Sequence, residues 1–184
     1  MPDYLTRGDI DRIRANAGSS VYNEKLYTAQ RRAPDGLTFL SHSSKDNELV
    51  PAVITILEGH GARVYVDTKD PTLQSHSGRE VAIQLRSRIQ KCRKFIVFVT
   101  ENVKDSKWVP WELGLSDGYK RPRNTLIFPS VENASKTSWL HQEYLEAYDR
   151  VVWGPMIGLL QPAWLVWNQE DNTACTLTDW LSRN

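Results

Sequence analysis

The 184-residue sequence has little of what marks several large protein classes. It contains only two cysteines, Cys92 and Cys175, too few for a disulfide scaffold or a cysteine-ligated zinc site. No apolar run approaches the roughly 18 to 20 residues that a membrane-spanning helix needs, and no secretory signal is recognisable. With 23 Lys plus Arg against 22 Asp plus Glu, no global field attracts nucleic acid or an anionic membrane. We therefore expect a cytoplasmic protein that binds neither nucleic acid nor a membrane.

Several catalytic motifs are missing as well. The sequence has no GxxxxGK[ST] phosphate loop, and its Gly59-His60-Gly61 ends a predicted helix instead of joining a strand to one. The four histidines lack the HxxxH and HExxH spacings, and no GxSxG is present. We therefore expect no bound metal and no resident cofactor.

What is present is typical of one folded domain: 40% hydrophobic and 24% charged residues. From Leu37 onward, short apolar runs alternate with helical periods. Strands are predicted at residues 37–41, 62–67, 95–100 and 125–128, and helices begin near Val50, after Gly78 and near Trp108. This alternation predicts an α/β fold with a parallel sheet and helices on both faces.

The two ends of the chain are less regular. Residues 1–36 are predicted to be a helical extension: Thr6 and Asp9 mark a helix start and Gly18 a stop, followed by a polar connector. We expect the extension to pack against the main domain at 37–184, with an oligomer contact as the alternative. Near the carboxyl terminus, residues 151–153 and 165–167 compete for a fifth strand before a closing helix at 177–181. All seven tryptophans lie between Trp108 and Trp180.

Ligands of open parallel sheets bind at the carboxyl ends of the strands, where the strand order reverses. That rule selects the polar residues after three predicted strands, at 41–46, 67–70 and 101–108. Taken alone, the serine-rich segment 41–46 is more often a simple helix cap, although its hydroxyls and Lys45 could hold an anion at a helix start.

The segment DSKWVPWELGLSDGY at residues 105–119 is more informative. Pro110 belongs in the first turn of a helix, so Glu112 lies near a helix amino terminus, where the macrodipole favours its ionised form. Trp108 precedes Glu112 by four residues and shares its helix face. By spacing alone, such a glutamate usually compensates the dipole and such tryptophans are usually core residues.

Three segments together resemble the TIR (Toll/interleukin-1 receptor) domain of the bacterial kind. They are FLSHSSKD at 39–46, GARVYVD at 61–67 and SKWVPWEL at 106–113, and the resemblance covers residues 36–130 well. It implies a flavodoxin-like, five-stranded parallel sheet and, in many bacterial members, cleavage of NAD between nicotinamide and ribose.

The resemblance also implies roles for single residues. It assigns the catalytic glutamate to Glu112 and the adjacent aromatic to Trp108, with substrate contacts at Ser43, Ser44, Lys45 and Asp67. The BB loop, residues 68–78, diverges too widely in the family to be assigned residue by residue. TIR active sites are often completed by a neighbour's BB loop, so we expect self-association.

The leading hypothesis is therefore an NAD-consuming enzyme that releases nicotinamide and ADP-ribose or a cyclic isomer. The cyclic product would be an immune signal for a separate effector protein, as in Thoeris-like anti-phage systems. Two alternatives remain open: a non-catalytic TIR–TIR interaction module, and an enzyme similar to nucleoside deoxyribosyltransferases.

Overall fold

A computed structural model describes residues 3–67, 78–106, 108–120, 122–133 and 137–183. Almost all of the segment expected to be the BB loop, residues 68–77, lies outside these ranges. Among the described residues, no helix combines the length and the apolar character needed to cross a membrane.

The centre of the fold is a sheet with five parallel strands. These are β2 (Thr38–Ser41), β3 (Val64–Tyr65), β4 (Lys94–Val99), β5 (Thr125–Val131) and β6 (Arg150–Gly154). Their order is β3-β2-β4-β5-β6, and every neighbouring pair is parallel. This is the flavodoxin-like order, so the predicted five-stranded parallel sheet is confirmed.

Two antiparallel strands extend the sheet beyond β6. The strand β7 (Ala163–Asn168) pairs with β6 over five residue pairs, and β8 (Thr173–Thr176) pairs with β7. The two candidates for the fifth strand are thus both strands: 151–153 lies in the parallel β6, and 165–167 in its antiparallel neighbour. The predicted strand at 62–67 is shorter than expected, with two residues in β3.

Helices cover both faces of the sheet and bury two separate apolar clusters. One face carries α1 (Arg7–Ala17), α2 (Ser19–Gln30), α3 (Val50–Gly59) and α7 (Leu177–Ser182). The other carries α4 (Gly78–Lys91), α5 (Trp108–Tyr119) and the short α6 (Glu143–Glu146). The predicted helices at Val50, Gly78, Trp108 and 177–181 are all present.

The amino-terminal extension is more ordered than its sequence indicated. Thr6 caps α1, its side chain accepting from the Asp9 backbone N–H while the Asp9 carboxylate accepts from the Thr6 backbone, and α1 ends at Gly18. The chain then continues into α2, a helix that was not predicted. Its buried Tyr22 and Ala29 join the cluster beneath α3, which confirms that the extension packs against the main domain.

The chain's first described residues also join the sheet. Leu5 and Thr6 form β1, which pairs in parallel with the end of β5. Asp3 exchanges two backbone hydrogen bonds with Trp153 of β6, at 2.8 and 2.7 Å. Since β5 and β6 pair directly at Ile127 and Arg150, this segment connects the two strands nearer their carboxyl ends.

The tryptophans after residue 130 divide into three groups by exposure. Trp139 and Trp180 are buried, Trp164 and Trp167 are partly exposed, and Trp153 is 38% exposed. Trp139 and Trp180 therefore belong to the two apolar clusters, whereas the indole of Trp153 keeps a solvent-facing surface.

Candidate functional site at the carboxyl edge of the sheet

Glu112 is held inside the protein by its helix. The helix α5 begins at Trp108 with Pro110 in its first turn, as predicted from the missing proline N–H. Val109 and Leu113 anchor the helix in the apolar cluster on this face. Glu112 is 1% exposed, so its carboxylate lies in surroundings where a charge acts more strongly than in water.

One partner of this carboxylate is the last residue of strand β2. The Ser41 hydroxyl donates a hydrogen bond to Glu112 Oε2, and Ser41 is itself buried. A charge-assisted hydrogen bond of this kind fixes the rotamer of the carboxylate as well as stabilising its charge. Ser41 thus fixes Glu112 at the carboxyl edge of the sheet.

A second buried carboxylate connects the loops that follow β2 and β4. Asp46 Oδ2 and Oδ1 lie 2.9 and 3.0 Å from the donor Thr100 Oγ1, and Asn102 Nδ2 donates to Oδ1 at 2.7 Å. Burial raises the pKa of Asp46, and the hydrogen bonds from Asn102 and Thr100 oppose that shift. The strand order reverses between β2 and β4, so this network spans the switch point where ligands of such sheets bind.

The serine-rich segment after β2 has a buried and an exposed part. Ser43 is buried and its hydroxyl caps a short 3-10 helix at residues 44–46, accepting from the Lys45 N–H at 3.4 Å. Ser44 and Lys45 are exposed. The Lys45 ammonium lies 2.5 Å from Asp105 Oδ2, and this contact lowers the pKa of Asp105. This segment therefore contains both a helix cap, formed by Ser43, and exposed polar residues, Ser44 and Lys45.

Trp108 lies one turn before Glu112, at the solvent-facing end of α5. It is 38% exposed and packs edge-on against Trp111, with ring centroids 5.5 Å apart. The guanidinium of Arg86 lies over the Trp111 ring, 5.7 Å from its centroid. Trp111 thus supports Trp108 from the side and leaves part of its indole open for a flat ligand.

Asp67 follows β3, the neighbour of β2 on its other side. Its carboxylate accepts hydrogen bonds from the Tyr65 hydroxyl, at 3.0 Å, and from the Arg88 guanidinium of α4. Asp67 therefore lies at the same edge of the sheet and forms an ion pair with Arg88 of α4.

The structure brings five of the six predicted site residues to one part of this edge. Trp108 and Glu112 on α5, and Ser43, Ser44 and Lys45 after β2, lie on segments joined by the Ser41, Asp46 and Lys45 contacts, whereas Asp67 lies one strand away. Among the residues described, no group of three or more His, Cys, Asp or Glu side chains is arranged to hold a metal ion. The arrangement can therefore supply a buried anion, hydroxyl donors and an aromatic surface.

Four residues of this arrangement could not be singled out from the sequence: Ser41, Asp46, Thr100 and Asn102. Their partners lie 54 to 71 positions away, for example Ser41 with Glu112, so no local spacing reveals them. The signal that was available is their position at or near the end of a buried strand, which selected the segments of Ser41, Asp46 and Asn102 but neither Thr100 nor the pairs.

Comparison with known proteins agrees with the fold described above. The TIR domain family model matches residues 38–152, which include β2 through most of β6 and all of α5. The chain is also 35% identical over 149 residues to a protein of Bacillus cereus (strain MSX-D12) named "Probable 3' cyclic ADP-D-ribose synthase ThsB'". That similarity covers 79% of this chain and 75% of the relative. The chain therefore belongs to the TIR domain family.

Proposed function

We propose that this protein is an NAD-consuming TIR enzyme that cleaves the bond between nicotinamide and ribose. The observation that carries the proposal is the buried Glu112 carboxylate, held by Ser41 at the carboxyl edge of the sheet. Membership of the TIR family and similarity to a probable cyclic ADP-ribose synthase support it.

The chemistry of this bond suits a site with one buried anion. Nicotinamide leaves as a neutral molecule from a cationic N-glycoside, so no general acid has to protonate the leaving group. Positive charge then develops on the ribose in an oxocarbenium-like transition state. A fixed carboxylate in a dry site stabilises that charge without reorganising, and Glu112 has this role in our proposal.

The neighbouring residues would bind the rest of the dinucleotide. The open indole of Trp108 offers a face on which a base can stack. Ser43, Ser44 and Lys45 would contact the substrate's polar groups, and Asp67 would contact the substrate from the β3 side. Opening of the Lys45–Asp105 ion pair, which is exposed on both sides, would release the Lys45 ammonium for a phosphate.

The fate of the ribosyl cation decides the product. Attack by water gives ADP-ribose, whereas attack by a group of the same molecule gives a cyclic isomer. The name of the Bacillus relative supports a cyclic product, which we propose to be a signal that a separate effector protein reads. We also propose that the enzyme acts in the cytoplasm and forms a homo-oligomer through TIR–TIR contacts.

The test is incubation of the purified full chain with NAD, followed by chromatography and mass spectrometry of the products. We expect nicotinamide together with an equal amount of a product that is lighter than ADP-ribose by one water. Absence of nicotinamide at high protein concentration, under conditions that promote assembly, contradicts the proposal. Base exchange on a deoxynucleoside without NAD cleavage would instead identify a deoxyribosyltransferase activity.

Glu112→Gln tests the site assignment in the same assay. The amide keeps the size of the side chain but removes its charge, so we expect the rate of nicotinamide release to fall by about 100-fold or more. Glu143→Gln, at an exposed position on α6, is the matched control and should retain the wild-type rate. Circular dichroism of both variants checks the fold. A Glu112→Gln protein with near wild-type activity would show that the catalytic group lies elsewhere.

A further inference from the structure

Arg150, at the start of β6, is a buried cation whose hydrogen-bond partners are all neutral within the described part of the chain. It is 2% exposed. Its Nη1 donates to the Tyr4 hydroxyl at 3.1 Å and its Nη2 to the Leu140 carbonyl at 3.3 Å. When the Gln169 amide is oriented with its oxygen towards the guanidinium, Nε and Nη2 donate to that oxygen at 2.7 and 3.2 Å. These acceptors satisfy N–H groups but do not balance the positive charge.

The charge of this guanidinium is permanent, because arginine is not deprotonated in proteins. Buried charges are normally paired with an opposite charge, since an uncompensated charge away from water is costly. The two acids that share a cavity wall with Arg150 do not supply that charge. Asp9 pairs with Arg12 and caps α1 with Thr6, and Asp3 is exposed to solvent. Arg150 is therefore set up to receive an anion from outside the chain.

The cavity beside Arg150 has room for such a ligand. Its volume is about 1030 Å³, at the upper end of the roughly 300 to 1,000 Å³ that small-molecule sites occupy. Arg150 and three tryptophans line it together with polar side chains, among them Tyr4, Thr137 and Gln169. Exposed wall residues, such as His141, give it an opening to solvent. We call it the Arg150 cavity.

Trp167 of β7 gives this cavity a flat apolar surface next to the cation. Trp167 and Arg150 pair directly across the two strands, so their side chains share one face of the sheet, with Cβ atoms about 5 Å apart. Trp167 is partly exposed, and its neighbour on β8 is the small Ala174. Trp153 and Trp164 pair three positions further along and project from the opposite face. Trp167 is therefore the aromatic surface nearest to Arg150 in sheet register.

We propose that the Arg150 cavity binds a nucleoside phosphate, with its phosphate at Arg150 and Tyr4 and its base on the Trp167 indole. The Tyr4 oxygen accepts from Arg150, so its O–H can donate to a phosphate oxygen. The second N–H of Arg150 Nη1 adds a charge-assisted hydrogen bond. The Gln169 amide N–H groups and the Thr137 hydroxyl suit the polar edge of a base. A simple anion would leave the indole and most of the volume unused.

The Arg150 cavity is separate from the Glu112 site. Glu112 bonds to Ser41 at the end of β2, whereas Arg150 lies on β6, and β4 and β5 lie between these strands. None of the residues that line the cavity belongs to the predicted substrate site. The proposal therefore does not rest on NAD cleavage, and its test uses a ligand without nicotinamide.

Isothermal titration calorimetry of the full chain with AMP tests the binding. We expect micromolar affinity for AMP, competition by inorganic phosphate, and binding of adenosine at least about tenfold weaker because it lacks the anion. Tyr4→Phe keeps the ring and removes the hydroxyl, so it should weaken AMP binding about tenfold. The matched control is Tyr119→Phe, at a 44% exposed position on α5, which should bind AMP as wild type does.

Two substitutions of Trp167 test the base contact. Trp167→Ala should weaken AMP binding about tenfold and leave the binding of inorganic phosphate unchanged, because the phosphate does not touch the indole. Trp167→Phe keeps a stacking face and should stay close to wild type. Trp108→Ala, beside Glu112, is the control for binding at the other site and should bind AMP as wild type does. Circular dichroism checks the fold of every variant.

Photolabelling with azido-AMP and peptide mapping locate the ligand. We expect label in the peptide that contains Trp167, and excess AMP should remove it. Label confined to the peptide that contains Trp108 overturns the proposal. Absence of AMP binding at millimolar concentration also overturns it. Equal affinity for adenosine and AMP, or AMP binding that Tyr4→Phe and Trp167→Ala both leave unchanged, has the same consequence.

Discussion

The two edges of the parallel sheet both bury charged side chains, but of opposite sign. At the carboxyl edge, Asp46 and Glu112 are each 1% exposed. At the amino edge, Lys94 at the start of β4 is 1% exposed and Lys120 is 9% exposed. Both edges therefore bury charged side chains. Only at the carboxyl edge do these side chains lie near the ends of β2 and β4, where the strand order reverses.

The cations of the amino edge are engaged in structural contacts. Lys94 Nζ donates to Asn124 Oδ1 at 3.0 Å and lies 4.4 Å from the centre of the Trp180 ring. Lys120 Nζ donates to the carbonyl of Cys92. These partners belong to the turns before β4 and β5 and to α7, so the two lysines connect elements of the fold.

The carboxylates of the other edge have a different kind of partner. Ser41, Thr100 and Asn102 are neutral donors placed where parallel strands end: Ser41 ends β2, and Thr100 and Asn102 follow β4, the strand on the other side of the switch point. A perturbed or buried charge alone is weak evidence for a site, because structural ion pairs produce it too. The position at the strand order reversal is what distinguishes Glu112 from Lys94.

The largest change in stability is expected for Asp46→Ala. The substitution leaves the buried Thr100 hydroxyl and the Asn102 amide without their acceptor, so the free energy of unfolding should fall by about 2 to 3 kcal/mol. Asp105→Ala removes an acid from an exposed ion pair at the same edge and should leave stability unchanged within error. Urea unfolding followed by circular dichroism measures both. Equal effects of the two substitutions would show that the Asp46 network does not hold the edge together.

Ser41→Ala is expected to change the reaction more than the fold. Loss of a hydrogen bond to a buried carboxylate should lower kcat for NAD cleavage about tenfold with little change in KM, because Ser41 positions Glu112. The matched control is Ser116→Ala, another buried serine, whose hydroxyl donates to the Leu113 carbonyl within α5. Steady-state kinetics of both variants decide the point. A fall in kcat that is as large for Ser116→Ala would assign the effect to helix packing.

Trp108→Ala is expected to have a smaller effect, on substrate binding. Stacking of a base on an aromatic side chain is worth roughly 1 to 3 kcal/mol, and a partly open indole should give the low end, about a fivefold rise in KM for NAD. Trp108→Phe keeps a stacking face and should remain close to wild type. If the Phe and Ala variants have the same KM, the substrate does not stack on this ring.

The comparison of the edges also shows which features the sequence could predict. The apolar runs and helical periods correctly placed β2, β4, β5, α3, α4 and α5, because these elements are encoded by neighbouring residues. Pro110 placed the start of α5 and hence Glu112. The helix α2 was missed because its apolar residues do not form a clear stripe, with Tyr22 and Ala29 as its buried members.

Contacts between residues far apart in the sequence could not be predicted. The contacts of Ser41 with Glu112 and of Asp46 with Thr100 depend on the register of strands and on loop geometry. The pairing of Leu5 with Ser130 brings the amino terminus to β5 across more than a hundred residues of chain. None of these pairs has a local sequence pattern, so the sequence could identify the edge but not the contacts within it.

The smallest expected effect is on the pH dependence of stability, through Lys94. Burial lowers the pKa of this lysine to about 8, below its unfolded value of about 10.4. Between these two values the unfolded chain binds more protons at this residue than the folded chain does, so the contribution of Lys94 to the free energy of unfolding rises as the pH increases from about 8 to about 10.4. At pH 7 the folded protein therefore carries the full cost of a buried charge.

Lys94→Met removes this titration while keeping an unbranched apolar side chain. We expect the variant to be more stable than wild type at pH 7 and to lose that advantage by pH 10. At pH 7 the difference in the free energy of unfolding between the two proteins should be about 1 kcal/mol or less, because the substitution also removes the contacts with Asn124 and Trp180. Cys92 and Lys120 also have shifted pKa values, raised to about 12 and lowered respectively by burial, so the difference between the two proteins is the quantity to measure. Urea unfolding at a series of pH values provides it. A stability difference that stays constant from pH 7 to pH 10 would mean that Lys94 titrates normally. We expect Lys94→Met to cleave NAD at the wild-type rate, because the amino edge of the sheet does not contact the candidate site around Glu112.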